Sequence, residues 1–333
     1  MARSGWKESG TAMLPWLKAV SAALALAVGL SAQIRVTTNL VRVLATVKNP
    51  AGEPVGTLNK EDFEILDNGV AQQVAFFERQ TEQPLSIAMM VDASGSTAKD
   101  LKYEVDSVVR FFKALFAEGN PKDTVALYSF NYQVTCHNYF THNQGPLEHS
   151  LRNIQGEAGT SLYDAIFLTS RELEPREGRK VMVIVTDGGD TTSVKDFHTA
   201  LDSAQLAGAS IYPVLVVPIT NDAGRNLGGE HALTTMALGT GGRVFQPTLG
   251  PALDTAFSDI IKELRTQYLL AYYPKNVPLT KNRFHRLQVR VGRPDLRVSA
   301  RNGYYGEAEH QESLRQDQAE NPGIALPNKP LKR

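Results

Sequence analysis

Residues 85–96 join a continuous apolar run to a short loop of small and polar residues. The segment is Leu85-Ser86-Ile87-Ala88-Met89-Met90-Val91-Asp92-Ala93-Ser94-Gly95-Ser96. An apolar run of this kind is typical of a strand that is buried on both faces of a parallel sheet. The loop then offers one carboxylate and two hydroxyls at alternate positions. The segment therefore predicts an α/β fold with candidate ligands at the carboxyl end of a strand.

Strands and amphipathic helices alternate after this segment. Apolar residues recur at helical spacing from Leu101 to Phe116, and further helices are predicted at 162–173, 197–207, 231–238 and 253–264. Strands are predicted at 125–130, 134–140, 181–185 and 211–217, with a short one at Val244-Phe245. This alternation predicts a doubly wound, mostly parallel sheet over residues 84–266.

Both flanks of this region have the pattern of β-structure. On the N-terminal side, apolar residues alternate with polar ones from Ile34 to Val47, and a hairpin is predicted from Phe63 to Phe76 around Asp67-Asn68-Gly69. On the C-terminal side, residues 268–273 and 287–291 predict further strands. Neither flank is long enough to form a sandwich alone. We therefore expect 33–83 and 267–306 to pack together as a small β-sandwich-like domain, with the α/β domain inserted between them.

The two ends of the chain differ from the rest. Arg3, Lys7 and Lys18 precede an apolar run at 19–30, which is followed by Ser31-Ala32-Gln33. This pattern predicts a secretory signal peptide over residues 1–32, and hence a secreted, periplasmic or cell-envelope protein. An uncleaved membrane anchor is the alternative. Residues 307–333 are polar and without periodicity, and we interpret them as a disordered tail.

Composition excludes several classes of protein. The 333 residues include 35 basic and 35 acidic side chains, so the formal net charge is zero, which argues against a nucleic-acid-binding protein. Hydrophobic residues make up 42% of the chain, enough to form a core. The single cysteine, Cys136, excludes an intrachain disulfide and a multi-cysteine zinc site.

Two further segments carry polar groups to the same predicted edge of the sheet. Gly159-Thr160-Ser161 places a hydroxyl just before a helix, and the strand at 181–185 leads into Thr186-Asp187-Gly188. The carboxyl ends of parallel strands converge, so the candidate ligands can meet there: Asp92, Ser94, Ser96, Thr160 and Asp187. Hard divalent cations prefer such oxygen ligands. The alternative interpretation of residues 92–96 alone is an ordinary helix-capping loop.

With these three segments, the sequence resembles the von Willebrand factor type A domain family over about residues 84–266. The resemblance implies a metal-ion-dependent adhesion site at these same five residues. It implies that Ser94 and Ser96 bind the metal directly, that Thr160 binds directly or through water, and that the two aspartates act largely through water. The expected ion is Mg²⁺, with Mn²⁺ or Ca²⁺ as alternatives. Its open coordination position would take an Asp or Glu from a partner protein.

The flanks resemble a narrower group, the exported bacterial proteins that carry domains related to von Willebrand factor type A. The N-terminal similarity lies in residues 58–64 and in Asp67-Asn68-Gly69. The C-terminal similarity lies in Tyr272-Tyr273-Pro274 and in residues 300–305. What this group binds does not follow from the resemblance.

Two catalytic functions and one structural function are alternatives to binding. Ser94 and Ser96 are not within a G-x-S-x-G elbow, and no histidine is placed by sequence as a base. A Mg²⁺-dependent phosphoester or ester hydrolase could use Asp92 and Asp187, but the residues beside these motifs are small or neutral. A scaffold with a vestigial metal site is the third alternative. We expect a binding protein with no catalytic residue.

Two other groups of polar residues have simpler interpretations. Cys136 with His137, His142 and His149 suggests a soft-metal site, but we interpret the thiol as a small buried apolar group on a strand and the histidines as loop surface. Asp190 is a candidate accessory ligand, and its more ordinary role is to cap the next helix or turn.

Overall fold

The protein is described here by a computed structural model that covers residues 40–79, 83–95, 101–216, 226–247, 250–278 and 284–306. The predicted signal peptide, the first residues of the predicted N-terminal strand, Ser96 and the predicted tail lie outside these ranges. Among the described residues, no helix combines the length and the apolar composition that crossing a membrane requires.

A five-stranded sheet forms the centre of the α/β part. Its strands are β5 (Leu85–Asp92), β6 (Thr124–Phe130), β7 (Val134–Thr141), β8 (Arg179–Thr186) and β9 (Ala209–Leu215). They lie in the order β7-β6-β5-β8-β9, and only the β6–β7 pair is antiparallel. Every residue of β5 is buried, which confirms the interpretation of its apolar run.

Helices cover both faces of this sheet, as the alternation predicts. The helices are α1 (Leu101–Glu118), α2 (Gln144–Arg152), α3 (Leu162–Leu173), α4 (Phe197–Ala207), α5 (Leu227–Thr240) and α6 (Pro251–Thr266). On one face α1 packs against α6, with the rings of Phe111 and Phe257 5.2 Å apart. On the other face α3, α4 and α5 bury small and aliphatic side chains such as Ile166, Ala204 and Met236. The predicted doubly wound fold is thus confirmed.

The flanks form two four-stranded antiparallel sheets. Their strands are β1 (Val41–Lys48), β2 (Phe63–Asp67), β3 (Val70–Gln72), β4 (Val74–Glu78), β10 (Tyr268–Tyr272), β11 (Phe284–Val291), β12 (Arg297–Ala300) and β13 (Gly303–Tyr305). One sheet has the order β12-β1-β10-β4 and the other β13-β11-β2-β3. Each sheet mixes strands from both flanks, and the two enclose one apolar core. The flanks therefore form a sandwich together, as expected, while the domain boundaries drawn from the sequence remain predictions.

A buried polar cluster ties the two flanks inside this sandwich. Asp67 is fully buried, and its Oδ2 accepts hydrogen bonds from the hydroxyls of Tyr272 (2.7 Å) and Tyr304 (2.8 Å). Its Oδ1 lies 3.0 Å from Nδ1 of His285. Burial raises the pKa of both tyrosines, which therefore remain neutral donors. The carboxylate joins the end of β2 to β10, β11 and β13.

Two strand predictions are wrong in part. The hairpin turns at Asn68-Gly69, both with positive φ as a type I′ turn requires, but its second strand ends at Gln72. Val74 begins β4, which pairs with β10 because the chain crosses to the other sheet. Phe245 forms a single bridge with Val214 and no strand, since Pro247 has no backbone N–H with which to continue the pairing.

One helix was not predicted. The sequence interpretation placed His149 on a loop, whereas it lies in α2, which begins after Asn143 accepts a hydrogen bond from Gly145. Only Leu147 and Leu151 of this short helix are buried, so its apolar pattern is too brief to recognise beside Gly145-Pro146.

Replacing Asp67 should destabilise the protein strongly. Asp67→Ala leaves two tyrosine hydroxyls and a histidine without their buried acceptor, and hydrogen bonds to charged groups contribute about 1.5–3 kcal/mol each. We expect the free energy of unfolding to fall by about 3 kcal/mol or more in urea titrations. Glu64→Ala, an exposed carboxylate on the same strand, is the control and should change it by less than about 0.5 kcal/mol. Equal effects of the two variants would contradict this role.

Candidate functional site

The candidate site lies at the carboxyl ends of β5 and β8. The strand order reverses at β5, because β6 and β7 follow on one side and β8 and β9 on the other. Such a reversal opens a crevice at the carboxyl edge of an α/β sheet. Asp92 is the last residue of β5, and Asp187 directly follows β8. The topology therefore brings both predicted carboxylates to this crevice.

Hydrogen bonds from both neighbouring segments hold Asp92 in one orientation. Its side chain is fully buried, its Oδ1 accepts from the backbone N–H of Ser94 (2.9 Å) and its Oδ2 accepts from the hydroxyl of Thr186 (2.6 Å). The Thr186 oxygen in turn accepts from the N–H of Gly188 at 3.0 Å. Thr186 thus positions Asp92. The sequence analysis does not identify this role, because the sequence does not indicate which distant residue a hydroxyl at the end of a strand will contact.

The loop that contains Thr160 joins the other two segments. The carbonyl of Ala93 accepts a hydrogen bond from the backbone N–H of Glu157 (2.9 Å), which connects this loop to the first segment. The N–H of Thr160 donates to the hydroxyl of Thr191 (3.0 Å), and its carbonyl accepts from the N–H of Thr191 (2.8 Å). All three segments are therefore connected directly, and both Thr160 and Ser94 are buried there. Ser96 lies outside the described residues, so its predicted part in the site remains a prediction.

The charges at this site favour a cation. The pKa of Asp92 is raised to about 6, chiefly by burial and to a smaller extent by the nearby Asp187 carboxylate, while the hydrogen bonds from Thr186 and Ser94 oppose the rise. Asp187 is half-buried, and its Oδ1 accepts from the N–H of Gly189 at 3.2 Å. A positive ion beside two carboxylates would offset the cost of burying their charge. The donor set therefore fits a divalent cation electrostatically.

The chemistry of the donors restricts the kind of ion. Among the described residues, no group of three or more His, Cys, Asp or Glu side chains is arranged to hold a metal. An ion at this crevice would thus rely on hydroxyl oxygens together with Asp92 and Asp187. Oxygen donors of this kind suit Mg²⁺ or Ca²⁺ better than a soft transition metal.

Asp190 and Asp164 build the wall of the crevice. Asp190 accepts from the N–H of Tyr163 (3.2 Å) at the start of α3 and from the hydroxyl of Ser193 (2.6 Å). It therefore caps the preceding helix and its own turn, whereas the sequence interpretation named the next helix or turn. Asp164 accepts from two backbone N–H groups of the same loop, those of Val194 and Lys195. These bonds fold the loop after β8 onto α3.

The first turn of α5 closes the crevice from another side. A Cβ added to Gly229 would lie 1.5 Å from the carbonyl oxygen of Gly188, so only glycine permits this approach. The sequence interpretation did not identify this contact. Two glycines that are 41 positions apart give no sign in the sequence that they touch.

The residues of the alternative soft-metal site have other partners. Burial raises the pKa of Cys136 to about 11, which disfavours the thiolate that binds metals. Nε2 of His137 lies 2.7 Å from the hydroxyl of Ser129, and Nδ1 of His142 lies 3.0 Å from the carbonyl of Asp123. His137 lies on β7, and so not on a loop as expected. Cys136 lies on β7 as expected, but it is half-buried and not fully buried.

The fold and this crevice define the class of protein: a doubly wound α/β domain with carboxylates and hydroxyls at its topological switch point. Residues 87–189 match the family model described as von Willebrand factor type A domain. The match covers less than half of the chain and does not extend into the flanks. No curated protein matches the chain in sequence.

Several solved structures are similar to part of the chain. BatB from Bacteroides thetaiotaomicron has 18% identity and a TM-score of 0.44, over 54% of this chain and 98% of that one. The vWF domain of the type V pili tip protein Mfa5 from Porphyromonas gingivalis has 15% identity and a TM-score of 0.44, over 54% and 94%. The pilus adhesin SpaC from Lactobacillus rhamnosus GG has 11% identity and a TM-score of 0.45, over 73% and 47%. These likenesses are weak, and the fold assignment rests on the sheet topology and the family match.

Asp92 should make the metal-free protein less stable as the pH rises. Its pKa is about 6 in the folded protein and near the ordinary 3.8 in the unfolded chain, so its contribution is present below about pH 4 and is lost as the pH rises through about 6. We expect the free energy of unfolding of the wild type, relative to Asp92→Asn, to fall by about 2 kcal/mol between about pH 4 and pH 6. Urea titrations of both proteins without divalent cations measure it. A difference that does not vary with pH would contradict the prediction.

Proposed function

We propose that this chain is an exported protein-binding module that captures an acidic residue of a partner protein through a bound divalent cation. Asp92, Ser94, Ser96, Thr160 and Asp187 would hold the ion, which we expect to be Mg²⁺, with Mn²⁺ or Ca²⁺ as alternatives. A partner Asp or Glu would complete its coordination. Von Willebrand factor type A domains commonly serve as protein-interaction modules, which supports the general part of this proposal.

The observation that carries the proposal is a buried carboxylate within a junction of three segments. Asp92 is fully buried at the switch point of the sheet, and the loops with Thr160 and Asp187 are hydrogen-bonded around it. Burying a carboxylate next to a second one costs free energy unless a positive charge compensates. A fold that needs only to close a loop could place a neutral residue there.

The same geometry supports binding over catalysis. The hydroxyl of Thr186 and the N–H of Ser94 both donate to Asp92 and hold the carboxylate in place. Nε2 of His137 lies 2.7 Å from the hydroxyl of Ser129 and is engaged there. We therefore assign no catalytic residue. The zero net charge of the chain fits a partner that is recognised at one ion and not through a broad field.

The location is part of the proposal. A signal peptide at residues 1–32 would deliver the protein to the periplasm, the cell envelope or the medium. The membrane would be contacted only if that segment stayed attached as an anchor, and nucleic acid is not an expected partner.

Mg²⁺ should stabilise the wild type more than it stabilises Asp187→Asn. A ligand that binds only the folded state raises the melting temperature, and loss of one carboxylate should weaken Mg²⁺ binding at least about ten-fold, or about 1.4 kcal/mol. Thermal unfolding with millimolar Mg²⁺ against a chelator measures this. Glu157→Gln, an exposed carboxylate near the site, is the control and should respond as the wild type does. An equal response of Asp187→Asn would show that the ion binds elsewhere.

Partner capture should depend on the same ion. In cross-linking pull-downs from the native envelope fraction, we expect the wild type to retain a partner in Mg²⁺ and to lose it with chelator, and Asp187→Asn to retain none. Capture that is unchanged by chelation would contradict metal-dependent adhesion and favour a scaffold. Turnover of generic phosphoester or ester substrates that Ser94→Ala abolishes would favour a hydrolase.

A further inference from the structure

A second candidate site lies at the opposite, amino-terminal edge of the α/β sheet. A cavity of about 500 Å³ opens where β8 and β9 begin and where β1, β10 and the β12–β13 turn approach them. A volume of this size is usual for a site that takes a small molecule. The cavity shares no lining residue with the crevice around Asp92.

The lining of this cavity is basic. It includes Arg42, Arg179, Lys180 and Arg301, and none of the described residues that line it is Asp or Glu. Arg42 is exposed, Lys180 and Arg301 are half-buried, and Arg179 is 2% exposed. The positive charges therefore extend from the surface into the interior. Like charges held together in a partly buried space repel one another, and an anion between them would offset this repulsion.

Two of the arginines each have a buried N–H donor without a hydrogen-bond acceptor in the described part of the chain. Arg179 uses its terminal nitrogens to donate to the carbonyl of Leu264 and to Oε1 of Gln267, while its Nε is buried without a hydrogen-bond partner among the described residues. Arg301 donates through Nη2 to the carbonyl of Arg42 (2.6 Å), and its Nε is likewise buried without a partner there. A buried donor without an acceptor costs about 1–3 kcal/mol, so such groups are rare unless a ligand or water satisfies them.

The nearby carboxylates of Asp123 and Glu78 act on Arg179, and that of Glu174 acts on Lys180, but they offset only part of the cost of burying these cations. Lys180 donates to the backbone carbonyl of Glu174 (2.6 Å), and the hydroxyl of Tyr305 donates to Asp202 (2.8 Å). Burial lowers the pKa of Arg179 to about 10, and it also lowers the pKa of Lys180 and of Arg301. Holding these cations therefore costs the folded protein free energy that a bound anion would restore.

We propose that this cavity is a binding site for a small anion that carries two or more phosphate or carboxylate groups. Guanidinium groups recognise both through paired N–H donors, and Lys180 adds a point charge. Tyr304 and Tyr305 also border the cavity, while their hydroxyls donate to Asp67 and Asp202. The site is independent of the proposed metal site.

Isothermal titration calorimetry with pyrophosphate and with citrate tests this site. The full-length protein is first freed of metal and of chelator, since a chelator is itself a polyanion, and ionic strength is held constant. We expect saturable binding of at least one probe, weakened about ten-fold or more by Arg42→Gln and by Lys180→Gln. The two probes distinguish phosphate from carboxylate recognition. Melting temperatures without anion show whether each variant is folded, and Arg42 is exposed enough for its replacement to leave the fold intact.

Two controls separate this site from other sources of binding. Lys113→Gln removes an exposed lysine on α1, away from the cavity, and should change affinity less than two-fold. Asp92→Asn should also leave anion binding unchanged, whatever the outcome for Mg²⁺. The proposal would be overturned if neither probe gave saturable heat up to about 10 mM. It would also be overturned if Arg42→Gln and Lys180→Gln bound the probes with the affinity of the wild type.

The chain itself offers one competing occupant. Gly306 borders the cavity, and the sequence continues with Glu307, Glu309 and Glu312. If the probes bind only after these three glutamates are replaced by glutamine, the acidic segment is the occupant and the small-anion proposal is wrong. Binding of equal affinity with and without the three replacements supports the proposal.

Discussion

The complete burial of β5 is the constraint on which both the fold and the site depend. Its eight residues lie between β6 and β8, with helices on both faces, so the strand cannot be at an edge. Its last residue, Asp92, carries a carboxylate, and the position of the strand therefore buries that side chain completely. Thr186 and Ser94 hold that carboxylate, yet its pKa stays raised to about 6, which means that its charge is only partly compensated. Functional sites commonly carry such a cost in stability.

The net charge of the chain is zero, but the two edges of the central sheet are oppositely charged. The carboxyl edge gathers Asp92, Asp187 and several hydroxyls, whereas the amino edge gathers four basic side chains. The β-sheets of the flanks contribute to the second edge, because Arg42 comes from β1 and Arg301 from the turn after β12. The flanks therefore do more than extend the fold: they complete a basic cavity that the α/β part alone does not enclose.

Buried polar contacts fasten the flanks to the α/β part. Glu263 of α6 is 1% exposed and pairs with Lys48 of β1 and with Arg243. Gln267, directly after α6, donates to the hydroxyls of Thr46 and Tyr212, and so links β1 to β9. Removing one partner from a buried pair costs more than the pair contributes, so these contacts fix one arrangement of the elements. The same region carries Arg179, whose Nε has no hydrogen-bond acceptor among the described residues.

Local signals predicted much of the secondary structure. The helices at 162–173 and 197–207 end where the sequence analysis placed them, since Asp196 caps the start of α4 and Gly208, in the left-handed region, ends it. The α2 helix was missed because two buried leucines in nine residues make too weak a pattern. The hairpin was extended too far because the alternation continues through Val74, although the chain changes sheets there. Periodicity reports which residues are buried and not which strand they join.

The sequence by itself determined the α/β class, the sandwich built from both flanks and the loops in which candidate ligands lie. Each of these depends on residues that are close along the chain or on a general rule of sheet topology. The tertiary structure alone decided that Thr186 orients Asp92 from 94 positions away and that Asp67 joins Tyr272 and Tyr304 across more than 200. It also decided that Arg42, Lys180 and Arg301 share a cavity. A residue's type limits the bonds it can make, but only packing chooses the partner, because long-range contacts leave no period in the chain.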